Sequence, residues 1–329
     1  MFTSEKSLIR RIRQLSGKSG SVRIPLGIGD DAAILRFASG HEVLVTTDFS
    51  LEGVHFRREW HPPDSVGHRC LARGLSDIAA MGGTPLAAFL SLALPGKLPR
   101  TWVDGFLRGL LALARLHGVA LAGGDTAQSP GQGSSAKILA DIVVVGSAPR
   151  GHALRRSGAR PGDAIYVTGS LGASAGTLEA LYAHPTRKVN PRNHPAHFYP
   201  QPRLAVGRYL RERGLVNSMI DVSDGLSTDL HHLCEESGQH KNIGAEIVAD
   251  LVPRGEGVTL EQALHGGEDY ELLFTASPDH RLPKKIAGIP VTFIGRIQRG
   301  RQVLLVEGLR RRRLSARGWE HFNHPQRRR

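Results

Sequence analysis

The chain is poor in cysteine, lysine and aromatic residues, and each shortage removes a class of protein. Cys70 and Cys234 are its only cysteines in 329 residues, far apart and outside any CxxC or CxxxH spacing, so neither a disulfide framework nor a structural zinc site is expected. None of the eight lysines falls in a G-x-x-x-x-G-K-[ST] loop, and no HRD or DFG triplet is present; a P-loop enzyme and a protein-kinase fold are both disfavoured. No apolar run approaches the roughly 18 residues a membrane span needs. The N-terminal stretch MFTSEKSLIRRIRQL is charged and amphipathic without a signal-peptide core, so a cytoplasmic protein with no membrane partner is expected. The formal charge of +13 raises the question of nucleic acid, but eleven arginines against Glu307 and Glu320 put +9 of it between residues 296 and 329. Aromatics make up 5% of the chain, and no aromatic ladder that could stack bases accompanies the runs at 309–313 and 327–329. A solvated basic end is the simpler expectation.

Length exceeds the roughly 100–200 residues of one ordinary domain. In the first half, residues 4–15 read as an amphipathic helix, HEVLVTTDF as a strand, VGHRCLARGLSDIAAMGG as a helix of small residues and Trp102–His117 as another helix. VALAGGD and KILADIVVVGSA then read as strands. The pattern breaks at PRGHALRRSGARPGD. Beyond it, AIYVTGSLGASAGTLEAL reads as strand, turn and helix, residues 184–203 as a proline-rich loop, and SMIDVSDGLSTDLHHLCEESG as a strand passing into a helix. Two α/β domains of α+β layered type follow, spanning 1–149 and 150–329, the second ending in the basic tail.

Carboxylates carry the chemistry. Asp48, Asp125 and Asp221 close the strand-like runs LVTTD, LAGGD and SMID, Asp224 begins a helix, and Asp30 follows a glycine in IGDDAAIL. Singly, Asp224 or Asp31 reads as a helix cap or turn former. Asp77 is different, because it interrupts a helix of small apolar residues where aspartate is a poor fit unless paired or metal-bound. Asp30, Asp48, Asp77, Asp125, Asp221 and Asp224 could converge only around cations, and an all-oxygen set of this kind favours Mg²⁺. Thr46 and Thr47 offer further oxygens beside Asp48. Glycines at 29, 123, 124 and 225 permit close approach of a large anion, which points to the phosphates of a nucleotide. With no motif lysine available, an arginine in LRRSGARPGD, Arg155 or Arg156, is the candidate for sharing that charge.

These stretches, in this order, resemble the thiamine-monophosphate kinase family, within the superfamily that includes aminoimidazole ribonucleotide synthetase, HypE and selenophosphate synthetase. The matching runs are IGDDAAIL, VTTDFSLEGVHF, LSDIAAMGGTPLA, GGDTAQS, RRSGARPGDAIYVTG, IDVSDGLSTDL, GGEDYELLFT and GWEHF, and they span almost the whole chain. EGVHF and GGEDYELLFT look specific to the thiamine enzymes; the aspartate runs are shared by the superfamily. The resemblance implies an aminoimidazole ribonucleotide synthetase-like fold whose N-terminal domain pairs its strands with a second subunit's in a homodimer sheet or barrel. It implies that Asp30, Thr46, Thr47, Asp48, Asp77, Asp125, Asp221 and Asp224 hold several Mg²⁺ ions, and that Gly124, Asp125, Arg156 and Ser223 lie on ATP. His55, Glu268 and Trp319 would form the thiamine-phosphate site. A carboxylate and an indole suit the cationic thiazolium, although His55 alone would pass for a structural histidine and Trp319 for a C-terminal staple. Two departures stand out: Gly74 occupies a position where the family commonly has Asn, and Gly83 one where it commonly has Ala.

The implied reaction is in-line transfer of the ATP γ-phosphoryl group to the phosphate of thiamine monophosphate, giving thiamine diphosphate and ADP. Asp30 is then the ligand of the IGDDAAIL pair, with Asp31 orienting the turn. A synthetase that activates an amide oxygen is the superfamily alternative, and a basic nucleic-acid-binding protein the alternative of another class. Truncation after Phe322 separates the last of these: kinase activity should survive the loss of the terminal arginines, and its disappearance would give the tail a role in function.

Overall fold

The computed structural model describes residues 4–17, 21–238 and 242–322. In chain order the first elements are α1 (Glu5–Ser16), β1 (His41–Leu51), α2 (Pro63–Ala80), β2 (Thr84–Leu94), α3 (Arg100–Leu116), β3 (Ala120–Gln128) and β4 (Leu139–Pro149). Next come β5 (Ala164–Thr168), α4 (Ala173–Ala183), α5 (Pro195–Phe198), α6 (Leu204–Glu212), β6 (Ser218–Val222), α7 (Leu226–Ser237) and β7 (Ile243–Val248). The chain finishes with α8 (Leu260–His265), β8 (Glu271–Ala276), β9 (Lys285–Ile286), β10 (Ile289–Arg299), β11 (Val303–Glu307) and β12 (Arg310–Arg313). Two compact units result. The first holds residues 1–78, 83–152 and 185–201, the second 79–82, 153–184 and 202–329.

The first unit is built on an open four-stranded sheet in the order β1-β4-β2-β3, with β2 and β3 parallel and the other neighbours antiparallel. Within one chain it is not a closed barrel. Helix α1 starts where Ser4 accepts the Ser7 amide in a capping box, and it turns Leu8 and Ile12 inward. Helices α2 and α3 cross closely because neither carries a side chain at the crossing: a Cβ on Gly67 would lie 1.9 Å from the Phe106 carbonyl oxygen, and one on Gly109 would lie 1.8 Å from that of Asp64. Residues 185–201, read as a loop from sequence, contain α5 and are fastened to this unit. His68 bonds the Pro200 carbonyl at 2.8 Å, the Tyr199 hydroxyl donates to Asp64 at 2.9 Å, and His61 meets His197 at 3.1 Å.

The second unit carries a larger sheet in the order β12-β11-β7-β10-β5-β8-β6, with the short β9 on β10. Its core gathers Ile165 and Val167 of β5, Ile220 and Val222 of β6, and Leu226, Leu230 and Leu233 of α7. That leucine spacing of four and three is the helical stripe visible in sequence. The aspartates fall differently from the sequence expectation. Strand β1 runs three residues past Asp48 and β3 three past Asp125, while Asp221 is followed by Val222 before β6 ends. Ladder pairing to β4, β2 and β8 extends the strands through the polar residues that composition alone reads as strand ends.

The two family departures are places where α2 and the loop after it press on this sheet. A Cβ on Gly74 would stand 2.7 Å from Val144 Cγ2, and one on Gly83 2.6 Å from Leu44 Cδ1. Gly74→Asn should therefore lower stability by about 1–3 kcal/mol through overpacking. The added substitution Val144→Ala should recover part of the loss in denaturant unfolding; no recovery would show that Val144 is not the obstacle.

Candidate active site

Strand alternation splits the residues of VTTD between two faces. Thr46 and Asp48 face α2, where the Thr46 hydroxyl donates to the Asp77 carboxylate and Asp48 shares a hydrogen bond with Asp77. Thr47 points the other way and donates to Asp141 Oδ1 at 2.7 Å. Loss of hydration pushes the Asp48 carboxyl up to about 7, and the charges of Asp77 and Asp141 add to the rise, against the pull of Arg73. The Arg73 Nε stands 3.8 Å from Asp48.

A cavity of about 910 Å³ opens elsewhere on this unit, lined by Gly29, Asp30 and Asp31, by Phe89 and Leu90, and by Gly123 to Thr126, with Ile9 and Ile12 of α1 as an apolar wall. It brings together Asp30, Gly124 and Asp125. Each acid accepts the amide of the following residue, Asp31 to Asp30 at 2.9 Å and Thr126 to Asp125 at 2.8 Å. In the IGDD pair Asp31 supplies its amide and Asp30 the acceptor. Gly124 has φ +145°, and a Cβ there would lie 1.9 Å from the Leu90 carbonyl oxygen, so only glycine lets the backbone pass this close. A bulge at Ala122 sets up this approach, since Ala88 pairs Leu121 while Phe89 pairs Gly123. His55 accepts the Leu51 amide on Nδ1 at 3.0 Å, which leaves the neutral ring's proton on Nε2.

In the second unit the main chain does the assembling. The Glu268 amide donates to the Ser223 carbonyl at 2.7 Å, the Tyr270 amide to Val222 at 2.9 Å, and the Trp319 amide to Asp224 at 2.9 Å. Ser223, Asp224, Glu268 and Trp319 are thereby held side by side, beyond the buried Asp221. Asp229 Oδ2 accepts the Asp224 and Gly225 amides at 3.1 and 3.0 Å, and burial together with Asp221 and Asp224 drives its pKa up. Asp224, Asp229 and His232 form a group close enough to share a cation. The main chain of Arg156 is tied to the last residue of α7, its carbonyl accepting from the Ser237 hydroxyl at 3.2 Å. Asp141, Arg73, Asp229 and Asp269 were missed in sequence. For Asp141 the signal was a lone charge inside the apolar run KILADIVVVGSA; Asp229 reads from sequence as one more helix residue.

The AIR synthase related protein N-terminal domain family matches residues 29–148 and the corresponding C-terminal domain family residues 160–306. The thiamine-monophosphate kinase of Salmonella typhimurium is 34% identical over 346 residues, covering 99% of this chain and 100% of that protein. The chain belongs to the thiamine-monophosphate kinase family. The family's crystal structure from Stenotrophomonas maltophilia superposes with a TM-score of 0.79 at 35% identity, over 92% of this chain and 96% of that one. A structure of AaThiL complexed with AMPPCP and TMP superposes at 0.75 with 31% identity, over 97% of both chains.

The oxygen-only donors at Thr46, Asp48 and Asp77 suit Mg²⁺, and burial followed by the charge of Asp77 raises the Asp48 pKa against the pull of Arg73. A raised carboxyl pKa stabilises the folded state fully below the ordinary value of 3.8, and this contribution is lost as pH rises through about 7. A cation bound at Asp48 would compete with that proton. The rise in Tm on adding Mg²⁺ should accordingly be larger at pH 8 than at pH 5.5, and the difference should shrink in Asp48→Asn; equal shifts at both pH values would remove Asp48 from the metal site.

Proposed function

We propose that the chain transfers the γ-phosphoryl group of ATP to thiamine monophosphate, yielding thiamine diphosphate and ADP. The observation that carries this is the main-chain pairing of Glu268 and Trp319 to Ser223 and Asp224, which joins the residues assigned to the thiamine end with those assigned to ATP and metal. Within the first unit the cavity at Asp30, Gly124 and Asp125 supplies glycine backbone, the carboxylates of Asp30, Asp31 and Asp125 and an apolar wall, a combination suited to a metal-bound nucleotide. Thr46, Asp48, Asp77, Asp221 and Asp224 would hold Mg²⁺ together with Asp30, Thr47 and Asp125, and Arg156 would add charge on ATP. Bound Mg²⁺ would supply charge neutralisation for the two phosphate-bearing substrates.

The residues of the chain then have limited tasks. The acceptor is a phosphate monoester, mostly dianionic at neutral pH, so no general base is required and none is assigned. His55 presents its Nε2 proton to the substrate. Glu268 offers negative charge to the thiazolium, and the 40% exposed indole of Trp319 offers a face for cation–π contact. Catalysis is by positioning and charge stabilisation.

The active unit is a homodimer in this proposal. Strand β1 is a sheet edge of eleven residues, and Val43, Val45 and Phe49 on one of its faces are 50%, 65% and 60% exposed, an edge that soluble proteins normally cover. The setting is cytoplasmic, in keeping with the two free buried cysteines.

Asp48→Asn and Asp221→Asn should each lower turnover by about a hundredfold or more with the fold and dimer retained; near-normal activity in either would defeat the multi-metal site. Val45→Asp should give a monomer by light scattering, and an unchanged mass would place the dimer contact elsewhere. Coupled ADP release should respond to thiamine monophosphate and not to formylglycinamidine ribonucleotide, with the reverse preference favouring a synthetase.

A further inference from the structure

The segment Gly266–Tyr270 contains two of the four non-glycine residues with positive φ in the described chain, Glu268 at +65° and Tyr270 at +52°. Both conformations are disfavoured for residues with a Cβ and survive only where the surroundings over-determine them. Asp269 lies between them. Its Oδ2 accepts the Gly172 amide at 2.8 Å, and the Ser174 amide bonds it as well. Gly172 is the left-handed N-cap of the eleven-residue α4, which has no side-chain cap of its own. The carboxylate therefore caps a helix from another part of the sequence, where orphan amides and the helix dipole both favour an anion.

The other contacts leave the segment little freedom. On either side of Asp269, the Glu268 and Tyr270 amides are pinned to the Ser223 and Val222 carbonyls. Gly267 runs so near Ser223 that a Cβ would lie 2.7 Å from its carbonyl oxygen, and a Cβ on Gly266 would lie 2.4 Å from both the Ala175 methyl and the Gln262 carbonyl oxygen. Main-chain bonds fix where the segment passes, and the bond to α4 fixes the rotation of the peptide units between two left-handed residues. We infer that Asp269 is a positioning residue: by capping α4 it holds the left-handed turn that aims the Glu268 carboxylate at the thiamine end of the substrate. This rests on the placement of Glu268 in the thiamine-phosphate site proposed above.

Asp269→Asn keeps the shape and one acceptor oxygen but sets an NH₂ group against an amide donor. The variant should raise KM for thiamine monophosphate about tenfold, with KM for ATP within twofold of the parent and a cooperative melt. A lower Tm and lower kcat with both KM values unchanged would mean a purely structural cap and would overturn the inference. If Asp269→Asn does not fold, Asp269→Glu, which keeps the charge and displaces it by one methylene, should show the same split between the two KM values, and an unaltered KM for thiamine monophosphate there would overturn it too. Glu268→Ala, measured in parallel, separates the two levels. If it raises KM for thiamine monophosphate and the Asp269 variants do not, the positioning role alone falls; if it changes nothing, the placement of Glu268 and the role of Asp269 fall together.

Discussion

Repulsion between carboxylates that the fold forces together governs this molecule. Asp48 and Asp77 share a hydrogen bond beneath the β1 strand with Asp141 acting on the same group, and the single guanidinium of Arg73 does not balance them. Charges so placed either bind protons or bind cations. Gly74 and Gly83 let α2 and the loop after it lie close against the strands that carry Leu44 and Val144. Any cation these acids hold would owe its site to packing as much as to the choice of residue.

The second unit solves a different problem by different means. Its candidate site residues come from three places in the chain, at 223–224, 268 and 319, and peptide groups join them. Such joining sets their relative positions through the main chain. Its cost is a strained turn at Glu268 and Tyr270, held by a carboxylate bonded to the start of α4.

Much of this was legible in order of residues. The α7 stripe of Leu226, Leu230 and Leu233, the capped start of α1 and the apolar run of β4 each follow a local period, so sequence alone locates them. The strand ends near Asp48, Asp125 and Asp221 were misjudged because a ladder partner, not composition, decides where a strand stops. Residues 185–201 read as a loop because proline hides the contacts of His197, Tyr199 and Pro200 that tie the segment to the first unit. Asp229 and Asp269 gave no local sign, since each acts on amides brought to it from neighbouring turns or from another helix.

The residue types by themselves state that the candidate donors are carboxylate and hydroxyl oxygens and that no lysine lies in a P-loop or protein-kinase motif, because donor chemistry and charge are properties of side chains and need no fold to state them. Which acids share a cation, which glycine admits a backbone, and which way Glu268 faces are decided only by the tertiary structure. Repulsion, close approach and helix capping all depend on distance between segments that the sequence keeps far apart.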